Sequence, residues 1–286
     1  MPTVSLLEVR QGLVSTSVRR YLTVLALLAP ALSAPAVRAG DDAFVPLAIA
    51  PGHAGAATAA PIYNGRPATD FPAVVAVGVL NRGGTAVLCS GTLITPTIVL
   101  TAGHCLSFGP IAAGIAVFPD GVTEVDYDAI QAAVHPDFNL ASAAVADVGV
   151  LVLAKPVADV TPMPLASATP PLKTRGTIVG FGDDQHGRAG VKLEGTVKLR
   201  RCPRAIRKAG IVRGQLDGSL CWRPKHRGQD TCHGDSGGPL VVDGAVAGVT
   251  SGGFPECPGR VSWDTNVAMY RDWIEEKIAQ AAEPAS

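Results

Sequence analysis

The sequence is poor in several features that mark common kinds of protein. Its 286 residues carry 24 Lys and Arg against 24 Asp and Glu, so the formal net charge is zero. No basic stripe stands out, which argues against nucleic acid as a main partner. The sequence contains neither C-x-x-C nor H-E-x-x-H. Their absence argues against a zinc ribbon, a thioredoxin-type site and a zincin.

The N-terminal apolar run is short. It covers Tyr21–Leu32, only 12 residues, which is too few to span a bilayer. Arginines precede this run, and small residues follow it at Ala36 and Ala39. We therefore predict that residues 1–39 are a secretory signal peptide, cut after Ala39 or Ala36. A buried apolar N-terminal helix is the alternative.

Cysteine usage agrees with export. The six cysteines all follow the predicted leader, at Cys89, Cys105, Cys202, Cys221, Cys232 and Cys257. An even count in an exported chain predicts three disulfides. We expect an extracellular or periplasmic protein that has no membrane contact once the leader is removed.

The rest of the chain reads as an all-β protein. Short Val- and Thr-rich runs alternate with turn residues, among them 32 glycines and 23 prolines. Residues 40–61 are rich in Ala, Gly and Pro and lack the pattern of a core. Proline-rich residues 156–173 would divide lobes at about 62–160 and 174–265. A C-terminal helix is predicted at 266–280, with an apolar face of Tyr270, Trp273, Ile274 and Ile278.

The sharpest chemical signal is Asp-Thr-Cys-His-Gly-Asp-Ser-Gly-Gly-Pro-Leu at 230–240. Ser236 lies among glycines, which let backbone N–H groups approach a reacting carbonyl. The string also matches the nucleophile elbow of α/β-hydrolases, in which the catalytic histidine follows the serine. That interpretation fails, because all six histidines precede Ser236.

A nucleophilic serine needs a base and an acid that orients the base. His104 is the best base, because the adjacent Cys105 could hold its turn rigid. The other histidines lie in the low-complexity stretch, a turn, exposed loops or beside the serine, at His53, His135, His186, His226 and His233. Asp147 heads an apolar run and is the candidate acid, with an exposed strand-end or N-cap aspartate as the alternatives.

Together, Thr-Ala-Gly-His-Cys at His104, Asp-Val-Gly-Val-Leu-Val-Leu at Asp147 and Gly-Asp-Ser-Gly-Gly-Pro-Leu at Ser236 resemble the chymotrypsin/trypsin-like serine proteases. The resemblance covers roughly 62–280 and is closest to bacterial-type secreted members. It implies two antiparallel six-stranded β-barrels and a C-terminal helix.

The resemblance also implies residue roles. Ser236 would be the nucleophile, His104 the general base and acid, and Asp147 the acid that fixes the histidine tautomer. The backbone N–H groups of Gly234 and Ser236 would form the oxyanion hole. The implied disulfides are Cys89–Cys105, Cys202–Cys221 and Cys232–Cys257.

Substrate preference is implied by position as well. In the family, the pocket floor lies six residues before the nucleophile, which is Asp230 here. A carboxylate there predicts cleavage after Arg or Lys; a solvated loop aspartate is the alternative. By the same comparison, Thr250 takes the place of the serine near the triad acid, and Ser251 that of a tryptophan. Gly252 is kept in the pocket wall.

The resemblance places the mature N-terminus at Ile62. Cleavage before Ile62 would free an α-amino group that pairs with Asp235 and orders the site. Residues 40–61 then become a propeptide. Because Pro61 precedes the cut, an enzyme specific for Arg or Lys would not make it, and we predict another activating protease or trimming in stages.

Two further alternatives stay open: the same fold with another substrate preference or esterase activity, and a non-catalytic homologue that only binds. The chemistry requires no cofactor, and no metal site is evident. The carboxylates at Asp120, Glu124, Asp126 and Asp128 read as a solvated face. The expected partners are protein or peptide substrates and an activating protease, and a monomer is expected.

Overall fold

The computed structural model describes residues 42–48, 62–121, 123–139, 145–183, 186, 191–206, 210–224, 228–254 and 256–283. The predicted signal peptide lies outside these residues, as does most of the predicted propeptide. Within the described ranges, the helices are too short or too polar to cross a membrane.

The first barrel is a closed ring of six antiparallel strands with a seventh added at its edge. In spatial order the strands are β1 (Val45–Pro46), β7 (Val125–Val134), β6 (Pro110–Val117), β3 (Val74–Asn81), β4 (Ala86–Thr95), β5 (Ile98–Thr101) and β8 (Gly149–Leu153). Pairing of β7 with β8 closes the ring. These strands are rich in Val, Ile and Leu, which suit a pleated, buried surface.

The second barrel is a sheet of seven strands. Their order is β11 (Leu220–Trp222), β14 (Ser262–Asn266), β13 (Ala245–Gly253), β12 (Pro239–Val242), β9 (Arg175–Gly180), β10 (Leu193–Lys198) and β2 (Arg66–Pro67). The ladder is open between β10 and β11, although a single bridge joins Arg200 to Cys221.

Two short helices accompany the barrels. The short helix α1 (Gly103–Leu106) follows β5, and α2 (Arg271–Ala282) ends the fold after a 3₁₀ turn at Val267–Met269. Trp273 and Ile274 of α2 are buried against the first barrel, while Tyr270 and Ile278 are partly buried there. The predicted all-β, two-barrel fold with a C-terminal helix is confirmed.

The N-terminal segments depart from the expected division into lobes. Arg66–Pro67 pairs with the second barrel, and Ile62 is fully buried in that barrel's core. Residues 42–48, expected to lack a core pattern, contact the first barrel and bury Val45 and Leu47. Strand addition explains this contact, because backbone groups of β7 provide the pairing.

Three disulfides are present, and they are the pairs that the resemblance implied. They join Cys89 to Cys105, Cys202 to Cys221, and Cys232 to Cys257.

Candidate active site

A buried Asp–His pair lies beside α1. Asp147 is fully buried, and its Oδ2 lies 2.8 Å from His104 Nδ1. The backbone N–H of His104 donates to Asp147 Oδ1 at 2.8 Å, so both carboxylate oxygens hold the histidine. This burial excludes the exposed strand-end alternative for Asp147.

The environment of His104 favours the imidazolium. Burial lowers the pKa of His104, but the charge of Asp147 and the hydrogen bond to it outweigh that effect. The net result is a pKa raised above the ordinary histidine value. A histidine in this setting can accept a proton and keep the charge stabilised.

The turn at Ser236 packs directly against the histidine loop. The carbonyl oxygen of Ser236 accepts from the N–H of Ser90 at 2.7 Å and lies 3.8 Å from Cys105 Sγ. At Gly237, where φ is +84°, an added Cβ would lie 2.2 Å from Thr101 Oγ1. The glycine therefore permits the close approach that brings Ser236 next to α1.

The backbone turn that precedes Ser236 has N–H groups that could donate to an anion. Gly234 has φ +91°, and its carbonyl oxygen accepts from the Ser90 hydroxyl at 2.9 Å. Among the described residues, the N–H groups of Gly234 and Ser236 donate to no protein acceptor. Free N–H groups on a rigid turn can stabilise a developing oxyanion.

Asp235 is fully buried behind that turn. Its carboxylate accepts from the N–H groups of Cys232 and Gly182, each at 2.8 Å, and from the N–H of Ile62. Burial raises the pKa of Asp235 to about 7, while the hydrogen bonds oppose the rise. The structure thus brings Ile62 and Asp235 together through a backbone hydrogen bond, and the ion pair with a freed α-amino group stays a prediction.

A pocket of about 200 Å³ opens beside Ser236. Its walls come from the turn before the serine, from β13 and from the Cys232–Cys257 disulfide: Thr231, Cys232, His233, Ser236, Thr250, Gly252, Gly253, Phe254 and Cys257. An added Cβ at Gly252 would lie 2.6 Å from the Trp263 ring, so glycine lets β13 pack closely against that ring. Thr250 and Gly252 thus line this pocket, and their role in substrate binding stays a prediction.

Asp230 is almost fully buried and is not among the residues that line this pocket, although it directly precedes Thr231, which is. Its Oδ1 accepts from the Trp222 indole at 3.0 Å and the Ser262 hydroxyl at 2.7 Å, and its Oδ2 from the Gly259 N–H at 2.8 Å. Burial raises the pKa of Asp230, and these donors counteract the rise. The solvated-loop alternative for Asp230 is wrong, because the carboxylate is buried and held by protein donors.

One predicted position is corrected by the structure. Ser251, not Thr250, lies at the acid: its hydroxyl donates to Asp147 Oδ2 at 2.7 Å. The cause is a bulge, since the pairing of β13 with β14 shifts between Thr250 and Gly252. A bulge adds one residue, so counting along the sequence assigns the serine's place to the wrong neighbour.

Several supporting residues were missed from the sequence. Ser90 accepts from the Phe181 N–H at 2.9 Å and so ties the Gly234 turn to the second barrel. Thr265 donates its hydroxyl to the Asp147 carbonyl at 2.8 Å. No local pattern marks these residues, although Ser90 follows a disulfide cysteine.

A two-barrel β fold with a buried Asp–His pair beside a Gly-Asp-Ser-Gly-Gly turn defines the chymotrypsin-like class of hydrolases. The family model described as Trypsin matches residues 62–274. The chain therefore belongs to the trypsin family of serine peptidases, and the predicted family is confirmed.

Curated relatives agree with this assignment. The vitellin-degrading protease of Bombyx mori is 32% identical over 222 residues, which covers 71% of this chain and 80% of that protein. A trypsin of Phaedon cochleariae is 32% identical over 208 residues, or 66% of this chain and 78% of that protein. A solved structure titled HL collagenase has a TM-score of 0.65 at 22% identity and covers 76% of this chain and 99% of that chain. That structure supports the fold.

Proposed function

We propose that this peptidase is a secreted endopeptidase that hydrolyses peptide bonds after Arg or Lys. Ser236 attacks the carbonyl carbon while His104 takes its proton, and Asp147 stabilises the imidazolium. The N–H groups of Gly234 and Ser236 bind the oxyanion. His104 then protonates the leaving amine, and water hydrolyses the acyl-enzyme.

The observation that carries this proposal is the two-point contact between Asp147 and His104. Both carboxylate oxygens are engaged, at 2.8 Å each, and the Ser236 turn packs against the same loop. This orientation of the imidazole is what general-base catalysis requires. Ser236→Ala is expected to lower turnover by several orders of magnitude.

A fluorophosphonate probe tests the main alternative, a non-catalytic binding homologue. Labelling of the processed wild-type protein, and none of Ser236→Ala, supports the enzyme. An unlabelled protein that begins at Ile62 would favour the binding role.

Asp230 supports the preference for Arg and Lys. Asp230 directly precedes Thr231 of the pocket lining, and its buried carboxylate lies in a low-dielectric setting where a substrate cation would be attracted. Removing one partner of a buried charge pair costs about 2–5 kcal/mol, so Asp230→Asn should lower kcat/KM for an Arg peptide by about 30-fold or more.

The measurement compares Arg-, Lys- and Phe-directed chromogenic peptides. Asp159→Asn is a matched control, because Asp159 is exposed and does not line the pocket. A wild-type preference for the Phe peptide, or an equal loss of kcat/KM in Asp230→Asn and Asp159→Asn, would contradict the role of Asp230. The alternatives would then be another substrate preference or esterase activity.

Ile62 supports activation by cleavage. Its φ is +50°, a left-handed conformation that a β-branched residue adopts at a cost of roughly 1–2 kcal/mol. Cutting the Pro61–Ile62 bond removes this constraint, because the Pro61 carbonyl group whose contacts restrict φ is no longer attached to the Ile62 nitrogen. The new α-amino group would lie beside the Asp235 carboxylate and supply a positive charge to it.

N-terminal sequencing of the active protein tests this activation. Ile62 as the first residue is expected, and an active enzyme that begins upstream would contradict the Asp235 pairing. The three disulfides support export. N-terminal sequencing of the precursor, before it is activated, tests cleavage after Ala39 or Ala36. The separate activating protease and the monomeric state are parts of the proposal.

A further inference from the structure

Residues 42–48 lie upstream of the proposed cut, yet they are built into the catalytic domain. Val45 pairs with Ala132 and Pro46 with Gln131, so β1 extends the edge at β7. The N–H of Leu47 donates to the Ile130 carbonyl at 2.7 Å. Val45 and Leu47 are 6% and 8% exposed, a burial typical of core residues.

An ion pair between a buried lysine and an exposed aspartate anchors the beginning of this segment. The Lys277 side chain on α2 is 0% exposed, and its Nζ lies 2.7 Å from Asp42 Oδ1. Nζ also donates to the Asp42 carbonyl and lies 5.7 Å from the centre of the Phe44 ring. The indole N–H of Trp273 donates to Asp42 Oδ1 at 2.8 Å. Loss of the segment would remove the Asp42 carboxylate and carbonyl from the Lys277 ammonium and leave it the Gln280 amide oxygen at 3.0 Å, so the ion pair favours retention.

No covalent link would hold this segment after cleavage before Ile62. All six cysteines lie between Cys89 and Cys257 and pair with one another. Any retention of the segment is therefore noncovalent and depends on the strand pairing, the buried side chains and the ion pair.

The anchor is continuous with the support of the triad acid. The ring centres of Trp273 and His135 lie 5.2 Å apart, and those of His135 and Tyr270 lie 5.0 Å apart in an edge-to-face arrangement. The Tyr270 hydroxyl accepts from the Ala146 N–H at 3.1 Å. Ala146 has φ +50° and directly precedes Asp147.

We propose that residues 42–48 remain bound as a noncovalent light chain after cleavage, and that their docking positions Asp147 through the Trp273–His135–Tyr270 contacts. The first half rests on the proposed cleavage before Ile62. The second half applies to the cleaved and the uncleaved chain alike.

Retention is tested in the full chain with Ser236→Ala, so that catalysis plays no part. A second change, Pro61→Arg, allows pancreatic trypsin to cut before Ile62, and digestion is followed until N-terminal sequencing finds Ile62. Native mass spectrometry should then show one particle that contains both chains, which separate under denaturing conditions. A native spectrum that shows only the catalytic chain would refute the retention of residues 42–48. This outcome does not depend on whether the wild-type protein is an active peptidase.

Asp42→Ala in the cut protein serves as the matched variant. Loss of Asp42 should increase dissociation of the fragment, whereas Asp70→Ala, at an exposed aspartate, should not. Equal retention of the fragment in all three proteins would contradict the role of the ion pair.

The effect of residues 42–48 on the position of Asp147 is tested in the active enzyme. Here kcat is measured after the concentration of active sites has been determined by titration. Couplings through packed networks amount to about 0.5–2 kcal/mol, so Asp42→Ala should lower kcat roughly 2- to 30-fold with KM unchanged. Tyr270→Phe should lower kcat similarly, and the double variant should show less than the product of both effects. A change in thermal stability with kcat unaltered would show that the segment is only structural and would refute the positioning role.

Discussion

Removing the Ser251 hydroxyl is the sharpest test of how the triad acid is held. Asp147 Oδ2 accepts from His104 Nδ1 at 2.8 Å and from Ser251 at 2.7 Å, and the carboxylate is fully buried. Water cannot replace the lost donor easily in such a place. A hydrogen bond to a charged group contributes about 1.5–3 kcal/mol, so Ser251→Ala should lower kcat about 10- to 100-fold.

The matched control is Thr250→Val, the neighbour that sequence comparison assigned to this place. The Thr250 hydroxyl faces the buried Asp264, whereas it is Ser251 that donates to Asp147, so removal of the Thr250 hydroxyl should change kcat little. The assay is hydrolysis of an Arg chromogenic peptide, corrected for folded enzyme by active-site titration. A large fall in kcat for Thr250→Val together with normal kcat for Ser251→Ala would refute the reasoning.

Three further outcomes are expected. Burial raises the pKa of Asp264 well above its ordinary value, so its ionisation destabilises the fold increasingly as pH rises above about 4. Asp264→Asn should therefore stabilise the protein more at pH 8 than at pH 4 in urea unfolding; equal gains would contradict this. Replacing Cys89 and Cys105 by Ser should cost about 3 kcal/mol in the same assay, since they are 16 positions apart in the chain; an unchanged midpoint would count against it. Ser90→Ala should lower kcat about tenfold, because the Gly234 turn loses a hydrogen bond of about 1 kcal/mol or more; an unchanged kcat would exclude that role.

Local patterns carried much of the prediction. Each of these patterns is a continuous stretch of sequence, as in the glycine-rich turn at Ser236 and the apolar run after Asp147. Each can be recognised from neighbouring residues alone. Short Val-rich runs bounded by turn residues predicted the all-β fold for the same reason, because alternation and turn chemistry are local properties of strands.

The register of strand pairing around Ser251 could not be predicted from neighbouring residues. Thr250 and Ser251 are adjacent and both carry hydroxyls, and a bulge in the pairing with β14 decides which one faces Asp147. Pairing depends on a partner strand elsewhere in the chain, so no local pattern contains it.

The sequence by itself determined the family, the fold class and the residues proposed for catalysis, because these depend on short contiguous motifs. Only the tertiary structure decided which side chains support them. Asp42 and Lys277 are 235 residues apart in the chain, and Ser262 and Asp230 are 32 apart, yet each pair is in contact. Such contacts arise from burial and strand pairing between distant segments, which composition and spacing do not encode.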